Sequence, residues 1–164
     1  MKRILYVLSL VFILVSCGTA KKVSYSHRPL AAEGCIVSYS VVSNNGQAKV
    51  VVTVESDRLV FSNNPTLMLK NFKGEVLTLE GMSLQSRSET TGVLVNNIVI
   101  PITELNAMAE FPIQENDIDF FSSGISKVRL STVPYVHEKD FARDHIGSYL
   151  YSALRKVSMS KDTF

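Results

Sequence analysis

Two runs of β-branched residues, joined by a turn sequence, constrain the fold of this chain more than any other feature. Residues 36–42 and 48–54 form the runs, and Asn45-Gly46 lies between them. Asn-Gly favours a tight turn because both residues tolerate a positive φ, and β-branched side chains suit extended strands. The sequence therefore predicts an antiparallel hairpin over these residues.

Further short segments with strand character follow at close spacing. Turn chemistry separates them, for example at Asn64-Pro65, at Gly81 and at Thr91-Gly92. Many short strands at such intervals are typical of antiparallel sheets that form a sandwich or an open barrel. The predicted strands are residues 58–61, 66–69, 76–79, 82–87 and 93–102.

The next part of the chain predicts a strand, a helical turn and another strand. Apolar residues alternate with other residues over 105–113, and because Pro112 cannot donate to a ladder, this strand is expected at an edge or paired only as far as Phe111. Residues 114–121 predict a short helical turn with acidic residues at its start, closed by Gly124. Residues 126–132 predict a strand.

The C-terminal region has the clearest helical pattern. Six apolar residues between Ile146 and Val157 lie on one stripe of a helix, Asp144 is placed to cap it, and residues 158–164 are expected to fray. The predicted fold is therefore mainly β: an antiparallel β-sandwich or open barrel with a short helical turn and a C-terminal amphipathic helix. An α+β fold is the alternative.

The N-terminus has the layout of an export signal. Lys2 and Arg3 precede an apolar segment, residues 4–15, which is too short to span a membrane. Residues 14–17, Leu-Val-Ser-Cys, resemble the lipobox of bacterial lipoproteins. The resemblance implies cleavage before Cys17 and acylation of Cys17, and two or more acyl chains would hold the protein on a membrane. An ordinary secretory signal is the alternative.

These features predict a simple domain organisation. Residues 1–16 are the signal peptide, 17–32 the acylated cysteine and a flexible tether, 33–158 a single domain and 159–164 a frayed tail. The chain has 17 basic and 15 acidic residues, and loss of Lys2 and Arg3 would balance them, so no basic footprint for nucleic acid remains. Cys35 would be the remaining cysteine, and its apolar surroundings predict a buried, unreactive thiol.

One local cluster could carry chemistry. His137, Asp140, Asp144 and His145 are the candidate metal ligands, and the first three would share one face if the segment were helical. Phe141 occupies the position at which a zinc-protease helix needs its second histidine. The alternative interpretation is a solvated, charged entry to the C-terminal helix. We therefore name no catalytic residue, metal or cofactor, and no ligand-binding residue.

Two functional hypotheses follow. The first is a membrane-anchored, non-enzymatic module that binds a protein or glycan in the cell envelope, and the second is a small metal-dependent hydrolase that uses the histidine cluster. Several aromatic residues could line a binding groove, namely Tyr25, Tyr39, Tyr135, Tyr149, Tyr151, Phe120 and Phe121.

The order of elements after Leu105 is also similar to that of small Bacteroidota lipoproteins of unknown function. Residues 18–22 lack the acidic cluster that resembles the surface-export signal of that group. We therefore expect the protein on the periplasmic face of the outer membrane.

Overall fold

A computed structural model describes residues 21–27, 35–44, 47–56, 58–84, 86–95 and 98–160. The predicted signal peptide, Cys17 and the Asn45-Gly46 turn lie outside these residues. The described part contains strands β1 to β12, one 3₁₀ helix and one α-helix, α1. Their bounds are β1 Lys22–His27, β2 Cys35–Asn44, β3 Gln47–Ser56, β4 Val60–Phe61, β5 Thr66–Asn71, β6 Val76–Glu80, β7 Met82–Ser83, β8 Arg87–Val95, β9 Ile98–Pro112, 3₁₀ helix Glu115–Ser123, β10 Ile125–Leu130, β11 Thr132–Val133, β12 His137–Asp140 and α1 Gly147–Met159.

The first sheet has six strands in the order β1-β2-β3-β9-β7, and β8 also pairs with β9. The predicted hairpin is confirmed, since β2 and β3 pair antiparallel from Ile36 opposite Glu55 to Asn44 opposite Gln47. A second sheet has the order β12-β10-β5-β6, and β11 pairs with β4 as a small third sheet.

The two large sheets share one hydrophobic core. Val52 and Phe111 enter it from the first sheet, Leu69 and Leu130 from the second, and all four are fully buried. Strand β5 buries alternate residues, because successive side chains of a strand point to opposite faces of the sheet. The fold is thus mainly β, an antiparallel sandwich with a C-terminal helix, as predicted.

The tether prediction for residues 17–32 is wrong over β1. Lys22–His27 pairs antiparallel with β2, from Lys22 opposite Ser40 to His27 opposite Cys35. Val23 and Tyr25 are half-buried and pack against the core, whereas their neighbours are exposed. The alternating pattern in β1 is short and contains serines, so the sequence alone predicts a strand only weakly. These residues form a strand because they pair with the edge of β2.

The predicted strand 93–102 is in fact a hairpin. β8 and β9 pair antiparallel from Arg87 opposite Asn106 to Val95 opposite Ile98, so residues 93–95 and 98–102 belong to two different strands. Thr91-Gly92, predicted as a turn, lies inside β8. The predicted strand 82–87 is also divided, since β7 ends at Ser83 and β8 begins at Arg87.

The position of β9 differs from the prediction for Pro112. β9 is interior, with β3 on one side and β7 and β8 on the other, and its pairing with β3 includes Lys49 opposite Pro112. The N–H of Ile113 donates to the carbonyl of Ala48, 3.0 Å away. Because alternate residues of a strand direct their N–H groups to opposite sides, β3 needs no donor from Pro112.

The C-terminal elements follow the predicted order. Gly124 ends the 3₁₀ helix at a φ of 68°, and α1 packs on this helix and on β2 and β3. Helix α1 includes Ser158 and ends at Met159, slightly later than predicted. The hydroxyl of Tyr149 donates to the carbonyl of Lys21, which joins α1 to the start of β1.

Candidate functional site

The predicted histidine cluster does not form a ligand set. His137 and Asp140 lie in strand β12, and Asp144 and His145 follow in an irregular segment, so the helical face that would join them does not exist. Within the described residues, no three His, Cys, Asp or Glu side chains form a group that could hold a metal ion.

Asp140 and His145 lie on the surface, away from His137. The carboxylate of Asp140 is 3.5 Å from the Lys127 ammonium, which also pairs with Glu138. The exposed ring of His145 lies 5.4 Å from that of Phe141. These contacts are those of a solvated surface.

His137 instead belongs to a buried polar cluster between the two sheets. The Tyr25 hydroxyl lies 3.0 Å from His137 Nε2 and 3.0 Å from the Tyr39 hydroxyl. The Cys35 thiol lies 4.0 Å from His137 Nδ1, and Cys35 and His137 are each 1% exposed. β1 is an edge of the first sheet and β12 is an edge of the second. The cluster therefore connects the two edges across the core.

The electrostatics of this cluster favour a structural role. Burial raises the pKa of Tyr25 and of Tyr39 far above the usual value of a phenol, and burial also raises the pKa of the Cys35 thiol. A cysteine acts as a nucleophile through its thiolate, which a raised pKa disfavours. The prediction of a buried, unreactive Cys35 is supported, and the cluster acts as a hydrogen-bonded link.

Asp144 caps α1, as predicted. Its Oδ1 accepts from the N–H of Gly147 at 2.7 Å and of Ile125 at 3.0 Å, and its Oδ2 accepts from the N–H of Ser148 at 2.7 Å. Partial burial raises the pKa of Asp144, but these backbone donors outweigh it and the net pKa is lowered. Asp144 thus joins the start of α1 to the start of β10.

We expect Asp144→Ala to lower the free energy of unfolding by about 0.5–2 kcal/mol, because it removes a helix cap. A carboxyl whose pKa is lowered by folding stabilises the protein above its unfolded pKa, and this contribution is lost as the pH falls through the folded pKa. The free energy of unfolding of the parent, measured in urea, should therefore fall more than that of Asp144→Asn as the pH is lowered below about 4, the usual pKa of an aspartate. Equal pH dependence in the two proteins would contradict this role.

The aromatic residues proposed for a groove are dispersed. Tyr39 and Phe121 are fully buried, and Tyr25 and Phe120 are half-buried beside them. Tyr135 is half-exposed, in a loop between β11 and β12. The seven residues therefore do not form one surface.

The outer face of the second sheet is mainly a network of paired charges. Lys127 contacts Glu138 and Asp140, and Arg129 lies 3.7 Å from Glu138. The hydrogen bond between Lys127 and Glu138 raises the pKa of Lys127, and the same hydrogen bond lowers the pKa of Glu138. A depression of about 310 Å³ lies beside these residues, and its walls carry both signs of charge.

The most distinctive surface is the part of the β8–β9 hairpin that extends beyond β3. The pairing of β3 with β9 stops at Ser56 opposite Leu105, whereas β9 begins at Ile98. We call β8 together with residues 98–104 the arm. At about 3.4 Å per residue, the arm extends some 24 Å past the end of β3.

Strand β8 of the arm has few contacts with the rest of the described domain besides those with β9. Across it, the hydroxyls of Thr90 and Thr103 lie 3.1 Å apart, and Ile98 near its tip is 66% exposed. Within the described part of the chain, β9 is the one element against which β8 packs extensively. An isolated two-stranded hairpin is marginally stable in water, so the arm would gain stability from an added strand.

Sequence reasoning missed the arm because it treated residues 93–102 as one strand. The available signal was Asn96-Asn97 between two apolar runs, because asparagine tolerates the backbone conformations of tight turns. Comparisons of the chain with protein-family models, with curated proteins and with solved structures find no match in any of the three. In the described residues, no helix has the length and apolarity to cross a membrane.

Proposed function

We propose that the protein is a lipid-anchored lipoprotein of the cell envelope that acts as a non-enzymatic binding module, with the arm as its interaction site. The observation that carries this proposal is the arm itself, a hairpin that extends past the end of β3 and whose outer edges pair with no other strand among the described residues. Open strand edges are a common means of binding another chain, because main-chain hydrogen bonds supply the affinity.

The positions of the anchor and the arm support this proposal. Lys22 lies level with Ser40, Val51 and Glu110 across the sheet, near the end opposite the arm. Cys17 precedes Lys22 by five residues, and five residues of fully extended chain span at most about 17 Å. Ile98 is twelve residues from Glu110 along β9, or about 40 Å. The arm therefore points away from the attached end of the domain.

The described contacts of the candidate residues support this proposal over the hydrolase. Asp144 caps a helix, His137 is buried between sheets, and Asp140 pairs with a surface lysine. The alternative function, a metal-dependent hydrolase, would need these side chains close enough together to bind one metal ion. Their separation favours the binding module.

The anchor is tested by acylation. Cys17→Ala is expected to abolish incorporation of labelled palmitate and to leave the precursor uncleaved, because the thiol that accepts the lipid is absent. Cys35→Ala is the matched control, and it should be labelled as fully as the parent because Cys35 is buried. Equal labelling of the parent and Cys17→Ala would refute lipidation at this residue.

We place the protein on the periplasmic face of the outer membrane, because residues 18–22 have no acidic cluster. Protease treatment of intact cells should leave the protein whole, whereas treatment after permeabilisation of the outer membrane should digest it. Digestion in intact cells would indicate the cell surface instead.

A further inference from the structure

The two edges of the arm differ in their ability to accept another strand. Ile113 donates its N–H to Ala48 of β3, and the carbonyl of Met108 accepts from Leu84 on the opposite side. Odd-numbered residues of β9 thus direct their backbone groups toward β3, and even-numbered residues direct theirs toward β8, since the two directions alternate along a strand.

The β9 edge of the arm is obstructed. Beyond the end of β3, Val99, Pro101 and Thr103 direct their backbone groups outward. Pro101 has no N–H to donate, and proline on an edge strand is a common protection against unwanted pairing. A strand added here would lose a hydrogen bond at its centre.

The β8 edge has no such protection. Odd-numbered residues of β8 face β9 in the register that pairs Thr91 with Ile102. The outward residues are therefore Ser88, Thr90, Gly92 and Leu94, which include no proline and no charged residue. Within the described residues, no strand pairs with this edge. Each arm thus has one edge suited to one additional strand.

We propose that this edge pairs with the same edge of a second copy of the chain, so that two arms form a continuous four-stranded antiparallel sheet. This inference rests on the proposed function in taking the arm as the interaction site. The register that pairs all nine residues of β8 places Thr91 opposite Thr91 of the second copy, on a two-fold axis. Each outward residue then meets an outward residue, so the N–H and C=O groups of this edge are all matched.

Charge and stability favour this occupant. In this register Arg87 faces Val95 of the second copy and Glu89 faces Val93, so no like charges lie opposite each other. Four strands exceed the number needed for an independently stable sheet, whereas two do not.

A disulfide at the two-fold axis tests the pairing. Cα atoms of a directly opposed pair without hydrogen bonds lie about 4.5 Å apart, within the range of a disulfide. Membranes that contain full-length Thr91→Cys are oxidised and run on a non-reducing gel. Ser88→Cys is the control, because the two Ser88 positions would be about 20 Å apart. We expect at least about tenfold more covalent dimer with Thr91→Cys than with Ser88→Cys. Equal or absent dimer would overturn the proposal.

A second pair of variants tests the hydrogen-bonded edge. Thr90→Pro removes an outward N–H that β9 does not use, so combined with Thr91→Cys it should abolish the covalent dimer. Thr90→Val also removes the hydroxyl contact with Thr103 but keeps the N–H, so it should retain the dimer. Equal dimer from both combinations would show that the copies do not meet through this edge.

The unsubstituted chain separates a failure of the anchor from a failure of the pairing. With Cys17 acylated and Cys35 buried, it should give no disulfide dimer. A dimer of this chain that disappears in Cys17→Ala would count against the lipid anchor alone. The Thr91→Cys comparison is then repeated in the Cys17→Ala background, where the same outcomes support or overturn the pairing.

Discussion

Leu150→Ala and Leu154→Ala are each expected to lower the free energy of unfolding by about 2–5 kcal/mol. Both side chains are fully buried and belong to the same core cluster as the sheet residues Val37 and Phe111. Each substitution removes buried apolar surface and leaves a cavity, and the two losses add. Urea unfolding of the chain from residue 21 onward measures the effect at constant pH and temperature.

Arg155→Ala is the matched control on the opposite face of α1. Arg155 is exposed, and its guanidinium carbon lies 5.9 Å from the centroid of the Tyr151 ring. Its loss should cost less than about 1 kcal/mol. If both leucine variants unfold at the same urea concentration as the parent, α1 is not part of the cooperative core.

Gly147→Ala is expected to lower the free energy of unfolding by about 1–3 kcal/mol, although alanine favours a helix. In an open helix this change would stabilise by about 0.5–1 kcal/mol, because glycine is the poorer helix former. Here a Cβ at residue 147 would lie 2.7 Å from the Cα of Gly124 and 2.8 Å from the N of Ile125. Since these are backbone atoms, α1 must move away from the 3₁₀ helix to admit it.

The sign of the change therefore decides whether this close approach exists. Ser152→Ala, on the exposed surface of α1, is the control, and it should be neutral or stabilising by a few tenths of a kcal/mol. Urea unfolding of the two variants beside the parent is the measurement. An increase in stability for both would mean that α1 does not approach Gly124 as closely as described.

Local sequence patterns were sufficient to predict the elements whose apolar residues recur at regular spacing along the chain. The runs 36–42 and 48–54 predicted β2 and β3 because β-branched residues and turn residues act over a few positions. The apolar stripe from Ile146 to Val157 predicted α1, and Asp144 predicted its cap, because a capping side chain accepts from N–H groups only a few residues further along the chain. Mainly β architecture followed from the number and spacing of the short strands.

Other features depended on residues that are distant in the chain. β1 is a strand because the edge of β2 is available to it, and its Tyr25 completes a cluster with His137 from the far end of the sequence. His137 lies in a strand that pairs with β10, so it does not have the helical spacing to Asp140 and Asp144 on which the predicted ligand set depended. No local pattern encodes such a pairing.

The arm shows the same division between local and tertiary information. Its residues have the composition of strands, and Asn96-Asn97 is a turn signal, so a hairpin could have been inferred from the sequence. Its projection could not, because it arises where β3 ends at Ser56 while β9 continues to Ile98. Composition and spacing determined the elements of this protein. Tertiary pairing decided which edges are covered, because a hydrogen-bonding edge is satisfied by whichever strand the fold brings beside it.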